Sequence, residues 1–146
     1  MIIVYILLFG ENILLKDLNI DENISILDIN DVDLKRINEK EIFKKESEDC
    51  YYIELPKDVE YDKEIEWMAD FVYKYKTNFY KVGVEDIIFT IVWKGLQGNM
   101  YFKANEIEKL AKLDIDIDIT YIFEKEDYIV NNKEGNQQIF PTFIDS

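Results

Sequence analysis

The sequence predicts an α+β fold: a mostly antiparallel sheet of about five to six strands, with one long helix and one or two short helices packed on one face. Three observations carry that expectation. Short runs rich in Ile, Val, Tyr and Phe recur along the chain, separated by turn residues. A helical stripe of apolar side chains runs from Asp58 to about Tyr80. A second, shorter helix at Asn105 leads into a strand of alternating residues, Asp114 to Phe123.

In chain order, Met1 to Phe9 is the most apolar run and reads as a strand buried on both faces at the middle of the sheet. It lacks a basic leader region and a small-residue cleavage site, and Gly10-Glu11 ends it too early for a membrane span. Asn12 to Ile20 is expected as a short helix or turn, and Ile24 to Ile29 as a short strand. Residues 30–49 are the least apolar stretch and read as a loop with one helical turn. Cys50 to Leu55 is a strand stopped by Pro56.

The long helix rests on Tyr61, Ile65, Met68, Val72, Tyr75 and Phe79, whose spacings of 4, 3, 4, 3 and 4 hold them on one face. Acids crowd its start and Lys74, Lys76 and Lys81 its end, an order that complements the helix dipole. Trp67 and Phe71 widen the apolar face. Asp86 to Lys94 follows as a strand covered on both sides, and the glycines of Gly95-Leu-Gln-Gly98 suggest a hairpin into Met100-Tyr-Phe102. Asn105, with Glu108 three positions on, is the expected N-cap of the second helix. In Asp114 to Phe123, the Ile residues are expected on a buried face and the acids on a wet one. Asn131 to Asn136 is turn-like, and the apolar residues from Ile139 to Ile144 are expected to dock on the body. The whole chain, 1–146, is read as one domain with a core at 1–123 and a C-terminal extension at 124–146.

Composition narrows function more sharply than it names it. The chain has no His, which removes Ser-His-Asp and Cys-His catalysis and imidazole metal ligation. A single Cys, Cys50, excludes an internal disulfide and a multi-cysteine zinc site, and its place beside a Tyr- and Ile-rich strand suggests a small buried residue. The formal charge is -14, with 31 acidic against 17 basic residues, and Arg36 is the one arginine. The excess is spread out: 12 acids and 6 bases in residues 1–50, 9 and 6 in 51–100, and 10 and 5 in 101–146. Such a surface repels nucleic-acid phosphates and anionic lipid and suits a basic protein partner. No nucleic-acid or membrane partner and no cofactor is expected, and the location is expected to be cytoplasmic.

Candidate partner-binding residues follow from charge and side-chain type. Asp28, Asp31 and Asp33 form an acidic cluster in a loop region, where recognition residues concentrate. Asp116 and Asp118 belong to an acidic strip with Asp114 on one strand face, where like charges repel unless a cation or basic partner sits there. The Asp114-Ile-Asp116-Ile-Asp118 pattern is not a calcium loop, because Ile119 replaces the required glycine and Lys125 the bidentate glutamate. Tyr73 falls off the helical stripe and is the exposed aromatic of its cluster, whereas Tyr75 and Phe79 belong to the core. No metal site and no catalytic residues are assigned: the acids offer no preferred hydrolase pair, and the glycines form no phosphate loop.

From Cys50 to Phe123 the order of elements resembles the small bacterial domain-of-unknown-function 4279 family. The resemblance lies in Tyr52-Ile53-Glu54-Leu55 before the long helix, in Lys94-Gly95-Leu-Gln-Gly98, and in Ile107 to Asp118 as closing helix and Ile-Asp strand. It implies an α+β fold and brings no catalytic residues. Small acidic proteins of this sort can act as immunity proteins. The expectation is therefore a non-enzymatic protein-binding module, an immunity or antitoxin-type protein neutralising a basic bacterial toxin domain, as a monomer or weak homodimer. The alternatives are a small carboxylate-dependent enzyme and an acidic anti-defence or DNA-mimic protein.

Overall fold

The computed structural model of the chain describes residues 1–32, 48–95, 100–123, 127–131 and 137–141, the last two ranges as strand backbone. A five-stranded sheet comprises β1 (Ile2–Gly10), β2 (Ile26–Asp28), β3 (Asp49–Glu54), β4 (Asp86–Gly95) and β5 (Asp116–Phe123), in the order β2-β3-β1-β4-β5. Two helices, α1 (Glu64–Lys81) and α2 (Ala104–Leu113), join β3 to β4 and β4 to β5. Short 3-10 turns occupy Leu15–Asp17 and Ile29–Asp31. A separate two-stranded antiparallel sheet is formed by β6 (Asp127–Asn131) and β7 (Gln137–Pro141). The fold is α+β, as expected.

β1 lies at the centre because it is apolar on both faces and can be covered twice. It pairs antiparallel with β3 and with β4, and β2 pairs antiparallel with β3. β4 and β5 pair in parallel. The side chains of β1 divide by parity. Val4, Ile6 and Leu8 join Ile53, Ile87, Phe89 and Ile91 beneath both helices, which contribute Ile65, Met68, Val72, Phe79, Leu110 and Leu113. Tyr5, Leu7 and Phe9 face the other way, with Cys50, Tyr52 and Val92, and meet Ile29 and Val32 from the turn after β2. Burial of Cys50, Tyr75 and Phe79 and exposure of Tyr73 follow the sequence pattern. Trp67 stacks on Phe71 at 5.5 Å, which accounts for the width of the apolar face of α1.

Four expectations are corrected. The long helix begins at Glu64, not Asp58, and Tyr61 stands outside it, 93% exposed. Asp62 has a φ of 69°, a left-handed conformation that cannot continue a right-handed helix. The Lys103 ammonium fixes it there by donating to its carboxylate (2.6 Å) and its carbonyl (3.2 Å). Residues 100–102 form no strand, so the expected hairpin partner of β4 is absent, and β4 pairs instead with β5, in parallel, after the expected second helix; residues 96–99 lie outside the described residues. The second helix is capped at Lys103, whose backbone N–H donates to the Glu106 carboxylate at 2.8 Å, so Asn105 sits inside its first turn. Ile117 and Ile119 are exposed although they align with buried Phe89 and Ile91, because β5 is the edge strand and the covering layer stops short of it. The docking of residues 124–146 and most of the loop at 30–49, including Asp33, fall outside the described side chains.

Candidate partner interface

Three strands open on aspartate: Asp49 in β3, Asp86 in β4 and Asp116 in β5. Because β1 is antiparallel to both β3 and β4, and β5 is parallel to β4, these strands run the same way and their first residues fall at one end of the sheet. β1 ends there with Gly10 followed by Glu11, and β2 ends there with Asp28. Glu48 and Glu85 immediately precede two of the strands. Both helices also finish at this end, where the last carbonyls of α1 are taken up by the Val82, Gly83 and Val84 N–H groups and those closing α2 by the Lys76 ammonium. One side of the molecule thus gathers carboxylates by topology.

Two glycines hold the rim together. A Cβ on Gly10 would lie 2.4 Å from the Gly83 carbonyl oxygen, and one on Gly83, whose φ is +106°, would lie 2.2 Å from that of Asn12. This close approach lets Leu14 N–H donate to the Val82 carbonyl and Glu85 N–H to that of Phe9, each at 2.8 Å. Asp49 adds a tie by accepting from the Ile13 N–H at 3.0 Å.

The described ion pairs lie elsewhere. Lys74 binds Glu22, Lys103 binds Asp62, Lys109 bridges Glu66 and Asp70, Lys63 reaches Glu66, and Lys112 meets Glu108. Lys76 donates to the carbonyls of Leu113 and Asp114 at the close of α2. Among the described residues, none of Asp28, Asp49, Asp86, Asp116 and Asp118 takes part in an ion pair.

Neighbouring groups register the resulting field. The Asp86 carboxyl is pushed above its ordinary range by partial burial and then by the charges of Asp116 and Glu48, against a hydrogen bond from the Ile87 N–H. Burial, followed by Asp49 and Asp28, raises the Tyr51 hydroxyl, and burial with Asp86 and Asp114 raises that of Tyr80. The aspartates from β2 to β5 thus lie at one end of the sheet, across four strand spacings or about 19 Å, with Asp28 and Asp49 aligned with the helix face and Asp86 and Asp116 with the other.

The residues singled out from the sequence are only partly brought together. Asp28 and Asp116 share the acidic end, but at opposite edges and on opposite faces. Asp28 aligns with Tyr51 on the helix side, whereas Asp116 and Asp118 align with Ile88 and Thr90 on the other. Asp28 accepts from the Asn30 backbone and side-chain N–H groups, each at 2.9 Å, and Asp31 is exposed in the same turn. Tyr73, 67% exposed, stands apart on the helix layer beside Asp70, Lys109 and Lys112. Asp49, Asp86 and Glu48 were not apparent as interface residues. Their only signal is an acid before each apolar run, which gains meaning once the three strands are known to run the same way.

Other concave regions are open and shallow in chemistry. A groove of about 430 Å³ beside Trp67 contains Asp58, Glu60, Glu66 and Asp70. Lys109 holds the Glu66 carboxyl below its usual range, which suits an ion pair better than proton donation. Among the described residues, no three metal-ligating side chains converge on one point. No helix in the described residues is long and apolar enough to cross a membrane. Comparison of the chain with protein-family models, with curated proteins and with solved structures found no match.

Proposed function

We propose that this chain is a non-enzymatic protein-binding module of the immunity or antitoxin type, neutralising a basic bacterial toxin domain in the cytoplasm. One observation supports this reading above the others. The carboxylates at the starts of β3, β4 and β5 gather at one end of the sheet with no ion pair among the described residues, whereas the helix layer is laced with lysine pairs. A toxin that attacks nucleic acid needs cations in its cleft to hold phosphates. A rigid rim of carboxylates competes for those cations and steers the encounter over long range.

The experiment has two stages. The immobilised chain is used at low salt to recover a binding protein from the source lysate, and that protein is identified and co-expressed with the chain. The reading expects a basic protein whose toxicity is suppressed, with capture weakening as salt rises and lost in the Asp49→Lys/Asp86→Lys/Asp116→Lys variant. Capture indifferent to both salt and charge reversal overturns it, as does suppression that survives the triple variant. Recovery of a host-defence nuclease or other DNA-binding protein would instead place the chain among DNA mimics.

A further inference from the structure

A second concave surface lies at the other end of the sheet from these aspartates, where β3 gives way to α1. Two successive turns build one side of it. Val59 N–H donates to the Pro56 carbonyl at 3.3 Å, and Lys63 N–H to that of Glu60 at 3.1 Å. These turns set Asp58 and Glu60 in one groove with Trp67 of α1, a hollow of about 430 Å³. Trp67 and Asp58 also border an adjoining hollow of about 480 Å³, so the indole stands between the two. Both hollows are lined by described residues.

The aromatic wall is rigid and has no cation on it. The Trp67 indole is half-buried and stacked on Phe71 at 5.5 Å, with 11° between the ring planes. Lys74 lies over Tyr75 and Lys76 over Tyr80, yet among the described residues no lysine lies over Trp67. Indole attracts a cation more strongly than phenol does. The carboxylates of the groove divide in a similar way. Lys109 holds Glu66 and Asp70, whereas Asp58 and Glu60 are exposed and have no ion pair among the described residues. A flat cation on an apolar stem satisfies both features. A guanidinium can lie against the indole while its N–H fork reaches the carboxylates, whereas an ammonium is a strongly hydrated point charge. Trp and Arg are also enriched among the residues that carry interface affinity. A second copy of this chain fits poorly, because it brings a formal charge of -14. We infer that the groove beside Trp67 is a docking site for an arginine side chain of a basic protein partner. This rests on the protein-binding reading and adds a contact apart from the acidic end. The six residues of β3 separate the two by roughly 20 Å, a distance that an interface of about 800 Å² per partner spans.

The test titrates the isotope-labelled full chain with three acetylated amino-acid amides: arginine, lysine and citrulline, the last an uncharged isostere of arginine. The readout is the nuclear magnetic resonance signal of the Trp67 indole N–H, told apart from that of Trp93 by a Trp93→Phe variant. Arginine amide is expected to shift this signal saturably, binding at least about tenfold tighter than citrulline amide and about threefold tighter than lysine amide. An Asp58→Asn/Glu60→Gln variant, its fold checked by helical circular dichroism, should weaken arginine amide at least about fivefold. The same variant should recover less of the basic partner from the lysate at fixed salt. Citrulline amide binding as tightly as arginine amide overturns the site, as does arginine amide indifferent to the variant, and both leave the acidic-end reading intact. Partner capture unchanged by Asp58→Asn/Glu60→Gln also overturns the inference, since the arginine would then not be the partner's. Capture that depends on Asp58 and Glu60 but survives Asp49→Lys/Asp86→Lys/Asp116→Lys would instead retain the groove and remove that reading.

Discussion

The hydroxyl of Tyr75 donates to the carboxylate of Glu22, which also receives the Lys74 ammonium at 2.8 Å. The same hydroxyl accepts from the Asp21 N–H at 3.0 Å, so one buried tyrosine of α1 fastens the segment leading into β2. Lys74 first, and then Tyr75, hold the Glu22 carboxyl below its ordinary range. A depressed carboxyl contributes stability that is complete above its unfolded value and is lost as pH falls through the folded one. Glu22→Gln should therefore lower the urea midpoint near neutral pH and flatten its decline on acidification. Midpoints measured from about pH 7 to about pH 3 check this; parallel curves for the two proteins would contradict it.

Asp86 has the opposite sign. Its carboxyl is raised by burial and by Asp116, so the folded state holds its proton more tightly than the unfolded chain does. Its ionisation therefore disfavours folding at neutral pH, and the penalty is relieved as pH falls through the folded value. Asp86→Asn is expected to raise the melting temperature by only roughly one to three degrees at neutral pH, because the carboxyl is no more than partly buried and solvent screens its charge. The gain should vanish at acid pH, in thermal scans at matched ionic strength.

Gly83 combines a φ of +106° with a carbonyl in the path of any Cβ. Gly83→Ala is expected to destabilise by about 2 kcal/mol or more through backbone strain and the displaced Asn12 carbonyl. Denaturant unfolding measures the loss, and amide exchange should place the disturbance at Leu14 and Glu85.

Phe79, on the inner face of α1, is fully buried against Phe71 at 6.1 Å. Phe79→Ala should cost about 3–5 kcal/mol by leaving a cavity. Tyr73→Ala, one turn and a half earlier on the exposed face, should change stability by less than about 0.5 kcal/mol. The pair of denaturation curves separates core from surface on the same helix.

Periodicity made the core legible. Ile65, Met68, Val72, Tyr75 and Phe79 form the buried stripe because 3- and 4-residue steps leave no other helical face, and the unbroken apolar run of β1 demanded cover on both sides. Three features lay beyond such reasoning. Asp62 holds off the helix start in a left-handed conformation that Asp tolerates, tied locally by its N–H to the Glu64 carboxylate and at long range to Lys103, 41 residues away, a partner the local pattern does not show. The crossover at β4 turned on whether the chain reverses tightly or passes through a helix, and the glycines after Trp93 suit a tight reversal. The exposure of Ile119 depends on strand order, since the same alternation in a central strand would be buried. The acidic rim was hidden for a related reason: its aspartates are 37 and 30 residues apart in sequence and become neighbours only through the shared direction of three strands.

The central position of β1 has a consequence for biosynthesis. Its neighbours are residues 49–54 and 86–95, so on the ribosome it is made well before either. At translation rates of about 5–20 residues per second, the wait for β4 is on the order of ten seconds. Until residues 49–54 are made, a stretch from Ile2 to Phe9 without one charged residue has no strand on either flank, and until β4 is made it has one at most. Nascent-chain yield should therefore respond to chaperone supply and elongation speed even where the finished domain is stable, because the vulnerable interval precedes the fold.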